Sequence, residues 1–114
     1  MLPREGHLLR IFIGERDRHE GVALYEWIVR RARAGGLAGT TVLRGIEGFG
    51  ARSHMHKASI LALSGDLPIV IEIVDSAEKI DAFLPLLDPL VGAGMVTVER
   101  VEVEVYRSED EAST

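Results

Sequence analysis

The sequence predicts an α+β fold, a ferredoxin-like β-α-β-β-α-β sandwich with two helices on one face of an antiparallel sheet. Three observations lead there. Two stretches with helical spacing are each flanked by stretches with strand alternation, in the order β-α-β then β-α-β. The 114 residues are enough for one core and too few for two. A long connection separates the second and third strands, so the two β-α-β halves meet there without a tight hairpin.

HLLRIFIG (7–14) is a strand with Leu9, Ile11 and Ile13 on one face and Leu8 and Phe12 on the other. From Glu20 to Ala34, Leu24, Tyr25, Ile28, Val29 and Ala32 recur at helical spacing opposite Arg30, Arg31 and Arg33, and Gly35-Gly36 supplies a left-handed stop. Tyr25 and Trp27 on this helix are expected to pack in the core or at a subunit contact. TTVLRGIE (40–47) is β-branched and alternating, a second strand. LPIVIEIVD (67–75) is a third, with Ile69, Ile71 and Ile73 on one face; Glu72, among valines on the other, requires water or a partner. Asp75 with Glu78 forms a capping pair for a second helix whose stripe is Ile80, Phe83, Leu84, Leu87 and Leu90, and Pro85 predicts a kink or break near Asp81–Pro85. In MVTVERVEVEVYR the valines change phase between Val98 and Val101, which predicts a bulge near Glu99 and Arg100 or two short strands. One domain therefore covers residues 1–107, and 108–114 form an acidic tail.

Composition narrows the function. Thirteen Lys and Arg against 18 Asp and Glu give a net charge of −5, against general nucleic-acid binding. No apolar run reaches the roughly 18 residues of a membrane span, and the first residues lack a signal-peptide layout, so a cytoplasmic protein is expected. The absence of cysteine removes disulfides, thiolate metal sites and cysteine nucleophiles. Several strands are apolar on both faces and only two helices are available, so the open sheet face is expected to be covered by copies of the same chain.

Against this acidic background, RGIEGFGARSHMHKA (44–58) is basic and rich in glycine. Residues 48–66 exceed the length of an ordinary hairpin connection, and such loops are commonly functional or disordered. Gly45, Gly48 and Gly50 permit positive φ and close approach of backbone N–H groups to an anion, while Arg44, Arg52, His54, His56 and Lys57 add side-chain donors. A phosphate suits that array. GIEGFG matches neither the dinucleotide fingerprint nor a P-loop.

The stretch RGIEGFGARSHMHKASILALSGDLPIVIEIVDSAEKIDAFLPLLDPLV, with GLAGTTVLRGIEGFG before it and VTVERVEVEVY after it, resembles the PII-like family catalogued as domain of unknown function 190. That family is similar to the PII signalling proteins, trimers of ferredoxin-like subunits that bind adenine nucleotides in clefts between subunits. The resemblance implies a homotrimer acting in signal transduction. Gly48, Phe49 and Gly50 would form the base of its long loop, and Gly92, Ala93 and Gly94 the second phosphate-contacting loop. It further implies a loop, here residues 51–66, that switches on ligand binding to control a partner such as a regulated enzyme or membrane transporter. Two departures bear on the ligand. Met95 stands where PII proteins carry a lysine, and their paired arginines are reduced to Arg107 beside Tyr106, so AMP or ADP is favoured over ATP.

Two rival chemistries are open to the same residues. His54 and His56 form an H-x-H pair able to bind a divalent metal, and the architecture is similar to the copper-tolerance CutA proteins, although their cysteine is missing. Neither Ser53 with His54 nor Asp66 with His56 has the spacing of a catalytic set, so no enzyme activity and no obligatory cofactor are expected.

Overall fold

The computed structural model describes residues 4–48, 56–57 and 67–107, with Glu47, Gly48, His56 and Lys57 described through their backbones. Four strands form the main sheet: β1 (Glu5–Gly14), β4 (Thr40–Arg44), β7 (Pro68–Asp75) and β8 (Met95–Glu102), in the spatial order β4-β7-β1-β8. All neighbours are antiparallel. This is the split β-α-β arrangement expected from the element order. Helices α1 (Leu24–Ala34) and α2 (Ala77–Leu87) supply the crossovers. Among the described residues no helix is long and apolar enough to cross a membrane.

The core forms between the sheet and the helices. Leu9, Ile11 and Ile13 from β1, and Ile69, Ile71 and Ile73 from β7, are buried against Leu24, Ile28 and Ala32 of α1 and Ile80, Phe83 and Leu87 of α2. Full burial of each large aliphatic is worth roughly 2 kcal/mol, so these two central strands anchor the fold. Tyr25 and Trp27 pack at the core's margin. His19 meets the Trp27 ring edge-on at 4.7 Å, and the Arg31 guanidinium lies 5.4 Å from its centre.

The structure corrects several expected boundaries. The first helix begins at Leu24 rather than Glu20, because residues 18–23 form a small hairpin of β2 (Arg18–His19) and β3 (Val22–Ala23). Glu20 and Gly21, at φ 50° and 81°, make its turn, a conformation incompatible with helix. At the far end Gly36, at φ 76°, is the left-handed stop. The second strand breaks after Arg44: the Gly45 N–H reaches the Pro68 carbonyl at 2.7 Å, and Pro68 has no N–H with which to continue the ladder. Pairing resumes as β5 (Glu47–Gly48) with β6 (His56–Lys57).

Helix α2 is capped by Ser76, whose Oγ accepts from Lys79 N at 3.3 Å, and not by Asp75. It runs unbroken through Pro85 to Leu87, the proline giving up the one N–H bond that residue 85 would make to the Asp81 carbonyl two residues before the helix ends. Ser76→Ala is expected to cost about 1 kcal/mol in urea denaturation, as loss of an N-cap does. An unchanged midpoint would show the cap to be dispensable.

β8 contains no bulge. Its register with β1 is unbroken from Glu5↔Glu102 to Phe12↔Met95. Val96 and Val98 share the helix-side face with Ile11 and Leu9, whereas Val101 lies on the open face opposite Gly6. The valines change phase because the face they serve changes. Val101, Val103 and Val105 line an open cleft of about 520 Å³ with Leu8 and Val74. The segment after β8 is held there by the Val103 N–H on the Arg4 carbonyl and by the Tyr106 hydroxyl donating to the Ala38 carbonyl at 3.0 Å.

Candidate functional site

One end of the sheet brings together Arg44, Gly45, Gly92, Ala93 and Gly94 of the residues singled out in the sequence. There β1 and β4 finish while β7 and β8 begin, so Arg44, Gly45 and the following β5 lie at one edge and Gly92, Ala93 and Gly94 at the other. Adjacent strands are about 4.8 Å apart, which puts the two edges about 14 Å from each other within one chain. A single phosphate does not span that distance.

The glycines at this end have distinct reasons to be glycine. A Cβ on Gly45 would lie 2.8 Å from Pro68 Cγ, so its smallness lets β4 close against β7. A Cβ on Gly94 would run into the Phe12 carbonyl oxygen and lie 2.9 Å from Val91 Cγ1. Gly92 has nothing within 4 Å of its Cβ position, and neither packing nor φ requires a glycine there. Gly45, Gly92 and Gly94 all keep φ outside the left-handed region, so close approach, not positive φ, explains Gly45 and Gly94.

Arg44 leaves its edge strand and crosses the start of β7. Its Nη2 pairs with Glu15 Oε1 at 3.0 Å; the Arg44 side chain is 58% exposed and that of Glu15 21%. Glu15 follows β1 directly and is fixed by its own N–H on the Leu67 carbonyl at 2.8 Å. Its second oxygen, Oε2, is buried and accepts no hydrogen bond among the described residues. Nothing in the local sequence marks Glu15, whose partner Arg44 comes from another strand.

Arg107 lies beyond the opposite end of the sheet, past β8 and the Tyr106–Ala38 bond, so one chain does not bring it to the glycine segments. Gly48 and Lys57 belong to the β5–β6 ladder, in which the side chains of Lys57 and His56 are not described. Phe49, Gly50, Arg52 and His54, together with residues 51–55, 58–66 and the tail 108–114, lie outside the described residues. Among the described residues no three His, Asp or Glu side chains converge as a metal site requires.

The open face of the sheet carries a charged belt between apolar ends. Arg10 donates from Nε to Glu72 at 2.9 Å and from Nη1 to Glu99 at 2.6 Å, which supplies the partner that Glu72 required. The hydrogen bond to Glu72 is the chief reason that the Arg10 pKa is raised above its ordinary value. Arg10 was legible as the matching charge: each of the two paired strands interrupts its apolar second face with one ionised residue, and these stand directly opposite.

Comparison with known proteins agrees with this architecture. The structure of CPII bound to ADP and bicarbonate, from Thiomonas intermedia K12, matches with a TM-score of 0.66 at 20% identity, covering 87% of this chain and 88% of that one. A second structure of CPII, a nitrogen regulatory PII-like protein from the same organism, bound to ADP, AMP and bicarbonate, matches with a TM-score of 0.61 at 18% identity over the same shares. A UPF0166 protein of Aquifex aeolicus is 41% identical over 98 residues, 84% of this chain and 90% of its own length. A UPF0166 protein of Methanocaldococcus jannaschii is 34% identical over 103 residues, 90% and 93% of the two chains. The family DUF190, described as "Uncharacterized ACR", matches residues 6–103. With that span covering every strand of the main sheet and both helices, the chain belongs to the DUF190 family, and its fold is PII-like.

Proposed function

We propose that this protein is a PII-like regulator that binds an adenine nucleotide, ADP or AMP, between subunits of a homotrimer. The observation that carries the reading is the placement of the two glycine-bearing segments at one end of the sheet on opposite edges. A second copy set edge to edge would bring the Arg44–Gly45 side of one chain to the Gly92–Gly94 side of the next. Backbone N–H groups of the Gly92–Gly94 segment and the Arg44 guanidinium would then face one phosphate group, the Gly45 N–H being held by the Pro68 carbonyl. The likeness of the fold to CPII, whose structures hold ADP, supports the choice of ligand.

Exposed apolar side chains support the assembly. Val42 and Leu43 on β4, and Met95 and Val98 on β8, are the outermost strands' contribution, and edge strands of a lone chain ordinarily carry charge there. Arg107, remote within its own chain, would reach a ligand only from a neighbour. The segment that follows β5 would change its conformational population on binding and so present or withdraw a surface for a protein partner.

Gly92→Val tests the site where a Cβ meets nothing within 4 Å. The parent is expected to gain about 2.7 kcal/mol of stability at a hundred times the ADP dissociation constant. The variant is expected to melt like the parent without ligand and to lose that gain. Calorimetric titration with ADP, AMP and ATP, alongside sedimentation to determine the assembly, makes the measurement. Equal ADP affinity in the variant, or a monomer in solution, would refute the arrangement.

A further inference from the structure

We infer that Glu15 is an internal competitor for the Arg44 guanidinium, so that a phosphate-bearing ligand must draw Arg44 away from a carboxylate of its own chain. The inference deepens the proposed nucleotide site and rests on that reading. It starts from the asymmetry of the pair. Arg44 is over half exposed and its arm is long, whereas Glu15 is four-fifths covered and anchored through its backbone to Leu67. Arg44 is therefore the partner free to turn toward a ligand, and Glu15 the one that stays.

The carboxylate has little to replace Arg44 with. Its Oε1 faces the guanidinium, and its Oε2 is buried without a hydrogen bond among the described residues. A carboxylate cut off from water on one oxygen depends on its counter-ion for the other. Taking Arg44 for phosphate separates the Glu15 carboxylate from the guanidinium it faces at 3.0 Å, a cost that falls on every ligand that uses Arg44. Glu15 thus sets the affinity of the site without touching the ligand, and it couples ligand binding to the turn that follows β1.

Removing the competitor should tighten binding. Glu15→Gln keeps the shape of the side chain and removes its charge, and ion pairs with one solvent-exposed partner hold about 0.2–1 kcal/mol, which corresponds to an affinity increase of about 1.4- to fivefold for ADP. Glu15→Asp, which keeps the charge but withdraws it by one methylene, is expected to shift affinity in the same direction by less. In an Arg44→Ala background, ADP binding is weaker and Glu15→Gln is expected to change it no further. Calorimetric titration of ADP into the full-length parent, the two Glu15 variants, Arg44→Ala and the double variant at one ionic strength reads all of this, with melting of the ligand-free proteins reporting folding.

Unchanged or weakened ADP binding in a folded Glu15→Gln overturns the inference while leaving the nucleotide site standing, weakening being the mark of a carboxylate that itself touches the ligand. An equal gain from Glu15→Gln with Arg44 removed also overturns it. Absence of ADP binding in the parent and in all the variants refutes the nucleotide reading, and this inference with it.

Discussion

Replacing Gly94 by valine is expected to destabilise the protein by about 3 kcal/mol, the upper part of the range for overpacking a tight site. The obstacle is main chain, not a movable side chain: the new Cβ is driven into the Phe12 carbonyl oxygen on central strand β1, with Val91 Cγ1 closing the other side at 2.9 Å. Relief requires β8 to part from β1 at the Phe12↔Met95 pair where their ladder begins. Urea denaturation at fixed protein concentration gives the value, and a midpoint equal to that of Gly92→Val would contradict the packing described. The contrast between these neighbouring glycines separates a fold requirement at Gly94 from the ligand contact proposed at Gly92.

The second large effect is expected at Asp75, the one charged side chain buried among the described residues, at 2% exposure. Its Oδ2 accepts from Ala38 N and its Oδ1 from Ser76 N, both at 2.7 Å. Ala38 in turn receives the Tyr106 hydroxyl, so a single carboxylate holds the α1–β4 connection that anchors the segment after β8. Asp75→Ala leaves two backbone donors unmatched and is expected to cost about 3 kcal/mol. Asp75→Asn retains one acceptor oxygen and is expected to cost about half of that. Faster amide exchange at Ala38 in the alanine variant would locate the loss, and a change below about 0.5 kcal/mol would show that water replaces the carboxylate there without penalty.

The sequence disclosed what depends on periodicity. Alternating isoleucines in 67–75 and the helical stripe from Leu24 marked the buried faces correctly, because burial acts on every residue of an element. Features set by one backbone contact were less legible. The hairpin at 18–23 depends on two positive φ angles in a row, and a helical pattern read across it conceals them. Asp75 looked like a cap because the carboxylate's place before a helix is the same whether it serves that helix or a distant N–H. The phase change in β8 suggested a bulge only because the sequence does not reveal which side of a sheet remains uncovered. At the candidate site, the clustering of basic and glycine residues was visible, but the Glu15–Arg44 pair arises from two strands brought together across the end of a third.

The pairing of Glu5 with Glu102 means that, within the main sheet, the earliest strand to be synthesised is joined along one edge by the latest. During translation β1 can gain β7 once residues 68–75 have emerged, but its other edge waits for residues 95–102. Such distant pairing slows folding relative to local pairing and exposes an apolar strand meanwhile. A ribosome stalled before residue 95 would therefore carry a chain open to chaperones and to pairing with its neighbours, and release would be followed by one cooperative closure of the sheet.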